Sequence, residues 1–120
     1  MTKRVLIIDD DQQIRGLLVE MLRRRGFEAE TAADGREGLE KARAEAFDLI
    51  ITDNTMPVMG GIEMIKQMRL GELARKSVTH VPIILCAGDR GIVCDEADAI
   101  VKKPFKNIVM QVAIAMVVGD

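Results

Sequence analysis

Apolar positions along the chain recur with two different periods. Val5-Leu6-Ile7-Ile8 is continuous and mostly β-branched, which predicts a strand covered on both faces. From Gln12 to Arg25 the apolar residues Ile14, Leu17, Leu18, Met21 and Leu22 follow the i, i+3, i+4, i+7, i+8 spacing of an amphipathic helix. Gly26 stands where a C-terminal cap glycine belongs. Glu28 to Ala32 reads as a weaker second strand, Asp34-Gly35 as a turn, and Arg36 to Glu45 as a short second helix. Leu49-Ile50-Ile51 predicts a third strand ending at Thr52-Asp53, followed by the breaker-rich loop Asn54 to Gly61. A third helix is expected from about Ile62 to Leu70, with Ile62, Ile65 and Met68 facing inward. Gly71 to His80 reads as a polar connection, and Val81 to Cys86 as a fourth strand entered through Pro82. Ala99 to Lys102 is a short fifth strand, and Phe105 to Val118 the final helix.

Strands and helices that alternate through short connections predict an α/β fold with an open, mostly parallel sheet and helices on both faces. Five strands suggest the flavodoxin-like doubly wound order 2-1-3-4-5, whose ligands bind where strands 1 and 3 diverge at their carboxyl ends. The 120 residues suit a single domain spanning 1–120. Between Cys86 and the fifth strand lie only residues 87–98. A parallel crossover with its helix needs roughly ten to twelve, so the fourth crossover helix should be short or missing.

Charge and composition narrow the partners. Seventeen basic and nineteen acidic residues leave a net charge of −2, which gives no electrostatic reason for direct nucleic-acid or anionic-membrane binding. The apolar run near the N-terminus is too short for a signal peptide, and no stretch reaches the roughly 20 apolar residues of a membrane span. Two cysteines, Cys86 and Cys94, without metal-ligand neighbours suit a reduced, cytoplasmic protein.

The predicted topology brings Asp9-Asp10-Asp11, at the end of strand 1, beside Asp53, at the end of strand 3. Several carboxylates in one crevice repel one another, and such a cluster usually signals a bound cation, raised pKa values or both. Oxygen donors without His or Cys favour Mg²⁺. Lys103, just after strand 5, opens onto the same edge and could hold an anion near Asp53. A magnesium, a lysine and a nucleophilic Asp together suit phosphoryl transfer. Taken singly, the Asp triplet can equally be an N-cap with a solvated turn, Asp11 being the cap, and Lys103-Pro104 an exposed helix start.

These segments also carry a resemblance. VLIIDDD, DLIITDNTMPVMGG, VPIILCAG and VKKPF resemble, in order and across essentially the whole chain, the motifs of a bacterial response-regulator receiver (CheY-like) domain of two-component systems. The most diagnostic piece is D-x-x-M-P-x-x-G-G, beginning at Asp53. The resemblance implies that Asp53 accepts a phosphoryl group from a histidine kinase or phosphotransfer protein. It implies Mg²⁺ held by Asp9, Asp10, Asp53 and the backbone carbonyl of Thr55, with Lys103 on the phosphoryl oxygens. Met56-Pro57 and Gly60-Gly61 would shape the loop. The module would be a signalling domain and not an independent enzyme, its output a contact with an effector protein or a fused output domain.

Three departures from the family pattern stand out. Cys86 occupies the position where the family has a Ser or Thr hydroxyl, and a thiol is a weaker donor. Ile100 occupies the place of an aromatic switch residue. The shortened crossover removes a surface that commonly carries output. These departures support an alternative, a degenerate receiver acting as a phosphorylation-independent interaction module. From Ile108 to Val118 only Gln111 is polar, more apolar than one buried stripe requires. That suggests a homodimer or another partner on the Phe105–Val118 helix.

Overall fold

The continuous apolar runs form the middle of a five-stranded, all-parallel sheet of order β2-β1-β3-β4-β5. The computed structural model describes residues 2–74, 80–88 and 91–119. Along the chain the elements are β1 (Arg4–Ile8), α1 (Gln12–Arg24), β2 (Glu28–Ala32), α2 (Gly35–Ala44), β3 (Leu49–Asp53), α3 (Gly61–Ala74), β4 (Ile83–Ala87), β5 (Ala99–Lys102) and α4 (Asn107–Val118).

Alternation along β1 divides the core into two layers. Val5 and Ile7 point to one face of the sheet, where they join Leu18 and Leu22 of α1 and Met110, Ala113 and Ile114 of α4. Leu6 and Ile8 point to the other, against Leu39 of α2 and Met64, Ile65 and Met68 of α3. Strands buried on both faces have no polar side to show, so β1, β3 and β4 carry the unbroken apolar runs Val5–Ile8, Leu49–Ile51 and Ile83–Ala87.

Several boundaries follow local chemistry. Asp11 caps α1, its carboxylate accepting the N–H groups of Gln13 and Ile14. Past the other end of that helix Gly26 adopts φ +91°, a left-handed conformation that glycine enters without a Cβ penalty. The third helix runs on through Gly71 to Ala74, farther than its breaker predicted; residues 75–79 of the expected polar connection lie outside the described residues. Strand β4 starts at Ile83, after Pro82. The last helix starts at Asn107, two residues later than expected, because Lys106 is still extended.

The β4–β5 crossover contains no helix among its described residues; Asp89 and Arg90 lie outside them. Polar side chains hold it instead. Arg69 of α3 donates to the Glu96 carbonyl (3.0 Å), to Glu72 (2.9 Å) and to Asp98 (2.9 Å). Asp98 in turn accepts the Ile83 N–H (2.7 Å) and faces His80 Nε2 (2.8 Å). On the edge strand β5, Ile100 is 42% exposed. No helix among the described residues is long and apolar enough to cross a membrane.

Candidate functional site

Chain direction places the chemistry. All five strands run parallel, so their carboxyl ends share one edge, and Asp9, Asp53, Ala87 and Lys103 lie at or just beyond those ends. One carboxylate oxygen from each of Asp9, Asp10 and Asp53 falls within 4.8 Å of the others. Asp9 and Asp53 are buried, at 2% and 7% exposure, while Asp10 is exposed. Asp11, the fourth acid of the sequence cluster, is used as the helix cap.

Each buried carboxylate is held by more than one donor. Asp9 Oδ1 accepts the Asp11 N–H (2.9 Å) and Oδ2 faces Lys103 Nζ (3.4 Å). Asp53 Oδ1 accepts the Asn54 N–H (2.9 Å) and the Lys103 ammonium (3.0 Å). The Lys103 N–H donates to the Ala87 carbonyl (2.8 Å), which ties the lysine's backbone to the end of β4. The Lys103–Pro104 peptide is cis.

The titration behaviour follows from this geometry. Burial raises the pKa of Asp9; the Asp11 N–H pulls it back, the Asp53 charge pushes it up, and Lys103 lowers it again, leaving it above the ordinary carboxylate value. Its ionisation therefore costs folding stability as pH rises through that raised value. Burial works against the Lys103 ammonium, but the hydrogen bond to Asp53 and the charges of Asp53 and Asp9 outweigh it and raise its pKa. The stabilisation from Lys103 is complete below the ordinary lysine value and is lost as pH climbs through the raised one. One ammonium among three carboxylates leaves a negative site, and hard oxygen donors with no nitrogen or sulfur among them fit a divalent cation such as Mg²⁺.

Cys86 pairs in register with Asp53 on the neighbouring strand. Its thiol is buried, which pushes its pKa up to about 12; Lys103 opposes that rise, and Asp53 and Asp9 add to it. Cys94 is also buried and its pKa raised, chiefly by burial. A buried, protonated thiol is a poor nucleophile. The folded protein should therefore resist iodoacetamide at pH 8, whereas the unfolded chain takes two labels, one per cysteine; intact mass and peptide mapping check this. Rapid labelling of Cys86 in the folded state would contradict its enclosure.

The loop after β3 is shaped by close approach. A Cβ on Gly61 would run into the Asp53 carbonyl oxygen, and one on Gly60 would lie 2.9 Å from the Asn54 carbonyl oxygen. Thr55 is exposed within this loop. Val58 has φ +69°, a left-handed conformation that a β-branched residue rarely adopts. Replacing it by Asn, which tolerates this region, should add about 1 kcal/mol, or roughly 4 °C in thermal midpoint. A melt of Val58→Asn beside wild type checks it. Both the strain at Val58 and the donor described next escaped the sequence reading. Arg15, in the first turn of α1, donates from Nη1 to the Asp9 carbonyl at 2.6 Å; only its position four residues past the triplet hinted at it.

A cavity of about 600 Å³ opens near the opposite edge, lined by residues that include Ala42, Phe47, Met68 and Pro82. The converging carboxylates and the lysine are not among its walls, so the chemistry belongs to the acidic edge.

Residues 5–115 match the family model described as the response regulator receiver domain. The chain belongs to the response regulator receiver family. Relatives of this receiver domain include the alkaline phosphatase synthesis regulator PhoP of Bacillus subtilis, 44% identical over 73 residues that make up 61% of this chain and 30% of PhoP. The transcriptional regulatory protein CpxR homolog of Haemophilus influenzae is 33% identical over 111 residues, covering 87% of this chain and 45% of that protein. The receiver thus spans less than half the length of both. Among solved structures, the response regulator TrrA of Thermotoga maritima, in complex with Mg²⁺-BeF, is 31% identical with a TM-score of 0.84 and covers 96% of this chain and 98% of its own. Receiver domains are signalling modules of two-component systems, and this chain is one of them by family and by fold.

Proposed function

We propose that Asp53 is the phosphoacceptor of this receiver, charged by the phosphohistidine of a histidine kinase or phosphotransfer protein in a Mg²⁺-dependent step. The observation that carries the reading is the convergence of Asp9, Asp10 and Asp53 oxygens within 4.8 Å, with the Lys103 ammonium 3.0 Å from Asp53. Asp9, Asp10, Asp53 and the backbone carbonyl of Thr55 are the groups that would hold the ion. When bound, Mg²⁺ would supply charge neutralisation for the non-bridging phosphoryl oxygens. A free Asp53 oxygen attacks phosphorus, the P–N bond to the donor imidazole breaks, and the electron pair leaves with that nitrogen. Lys103 follows the new anion and holds one of its oxygens. Burial of Asp53 keeps bulk water from the nucleophile before transfer. The chain assists only its own phosphorylation and dephosphorylation.

Residues 1–120 act on this reading as one receiver domain in the cytoplasm. Output is a changed protein–protein contact with an effector or a fused output domain, without direct nucleic-acid or membrane binding. The exposed apolar residues Ile108, Val109, Val112 and Met116 on α4 support a second copy of the chain as a further partner.

The test is incubation with a small phosphodonor such as acetyl phosphate, with and without Mg²⁺, read by intact mass. One phosphoryl adduct that needs Mg²⁺ is the expected result, and its absence in wild type overturns the reading. A second reading, a degenerate receiver that signals by constitutive contact, is favoured by the enclosed Cys86 thiol and by the crossover without a helix among its described residues. It predicts no adduct and partner binding indifferent to phosphodonor.

A further inference from the structure

We propose that Arg15 is a positioning residue for the cation site: it fixes the peptide that joins Asp9 to Asp10 and thereby sets where the Asp10 carboxylate lies. The inference rests on the magnesium reading above.

The two neighbouring acids are anchored differently. The Asp9 N–H donates to the Ala32 carbonyl at 3.1 Å, and both carboxylate oxygens of Asp9 have donors, at 2.9 Å from the Asp11 N–H and 3.4 Å from Lys103. Asp10 lies past the last paired residue of β1 and is exposed. A peptide group is planar. Fixing the direction of the Asp9 carbonyl therefore fixes the orientation of the Asp10 N–Cα bond and limits where its side chain can reach. That carbonyl accepts from Arg15 Nη1 at 2.6 Å in a part-buried contact. Arg15 is itself secured by the first turn of α1, its N–H bonded to the Asp11 carbonyl at 3.0 Å.

Local rules argue against an arginine here. The first turn of a helix is the positive end of its dipole, where cations are disfavoured; the Asp11 carboxylate at the cap offsets only part of that. A cation beside the Asp cluster also competes electrostatically with a metal ion. Charge and positioning therefore predict opposite signs: loss of the charge alone tightens Mg²⁺ binding, and loss of the hydrogen bond loosens it. Groups that orient metal ligands from outside the coordination sphere typically change affinity by 10–100-fold.

The experiment is a Mg²⁺ titration without phosphodonor, followed by backbone-amide chemical shifts in wild type, Arg15→Met, Arg15→Gln and Arg15→Lys. Met keeps the stem without a donor, Gln is polar but too short, and Lys keeps the charge and a donating head group on a long stem. Met and Gln should weaken Mg²⁺ binding about tenfold, and Lys should recover to within about threefold of wild type. Phosphorylation of Arg15→Met should be slow at low Mg²⁺ and return to within about twofold of wild type at saturating Mg²⁺, which a folding defect would not do. Should Arg15→Met fail to fold, Arg15→Gln decides alone. Equal or tighter binding by either variant, with wild type binding normally, overturns the role of Arg15. A wild type that binds no Mg²⁺ overturns the magnesium reading first and Arg15 with it.

Discussion

Asp53→Asn should acquire no phosphoryl group under conditions where the wild type gains one. The substitution preserves shape and leaves Oδ1 able to accept the Asn54 N–H that Asp53 holds at 2.9 Å, so the β3 end and its loop stay in place. It removes the anionic oxygen proposed to attack phosphorus, and a neutral amide is not a usable nucleophile. Lys103 also loses the charge of its nearer partner, 3.0 Å away. The loss of adduct is therefore expected to be complete and not graded, by intact mass after acetyl phosphate and Mg²⁺. An adduct that persists in Asp53→Asn would place the acceptor elsewhere. Circular dichroism of the variant should match wild type and so separate lost chemistry from lost fold.

Gly61→Ala should be among the most damaging single-methyl changes available to this chain. A Cβ there would collide with the Asp53 carbonyl oxygen and sit 3.1 Å from both the Asp53 carbonyl carbon and Leu85 Cδ1. Two of those atoms are backbone of the central strand β3, which has no room to yield. Forced overpacking of this kind costs about 2–3 kcal/mol, which lowers the thermal midpoint by about 10 °C in a domain of this size. Because the displaced carbonyl belongs to Asp53, the proposed acceptor, phosphorylation should also slow in whatever folded protein remains. Calorimetry and adduct formation measured on the same preparation test both halves. A melt unchanged from wild type would mean that the loop can move away, and would refute the rigid placement of Asp53.

The sheet order and the acidic edge were legible in the sequence because both follow from short-range signals. The runs Val5–Ile8 and Leu49–Ile51 reveal buried strands, and Asp9 and Asp53 directly follow or end them, so topology alone brings these acids together. Lys103 was legible for the same reason. The full length of α3 was not, because Gly71 reads as a stop although the helix continues to Ala74. Met64, fully buried, was missed because helical spacing counted from Ile62 favoured other positions. The clamp of Arg69, Glu72 and Asp98 was invisible, since it joins residues up to 29 positions apart that no local pattern relates. Arg15 escaped for the converse reason: one charged residue in an amphipathic helix looks like a solvated face until its carbonyl partner is seen.

Lys103 stands at a junction. Its ammonium reaches Asp53, its N–H is pinned to Ala87, and only Pro104, Phe105 and Lys106 separate it from α4. With so short a connection, the bond that ties Lys103 to the end of β4 also limits where the last helix can begin, and so helps set the direction of its solvent-facing ridge, which ends in Met116 at 78% exposure.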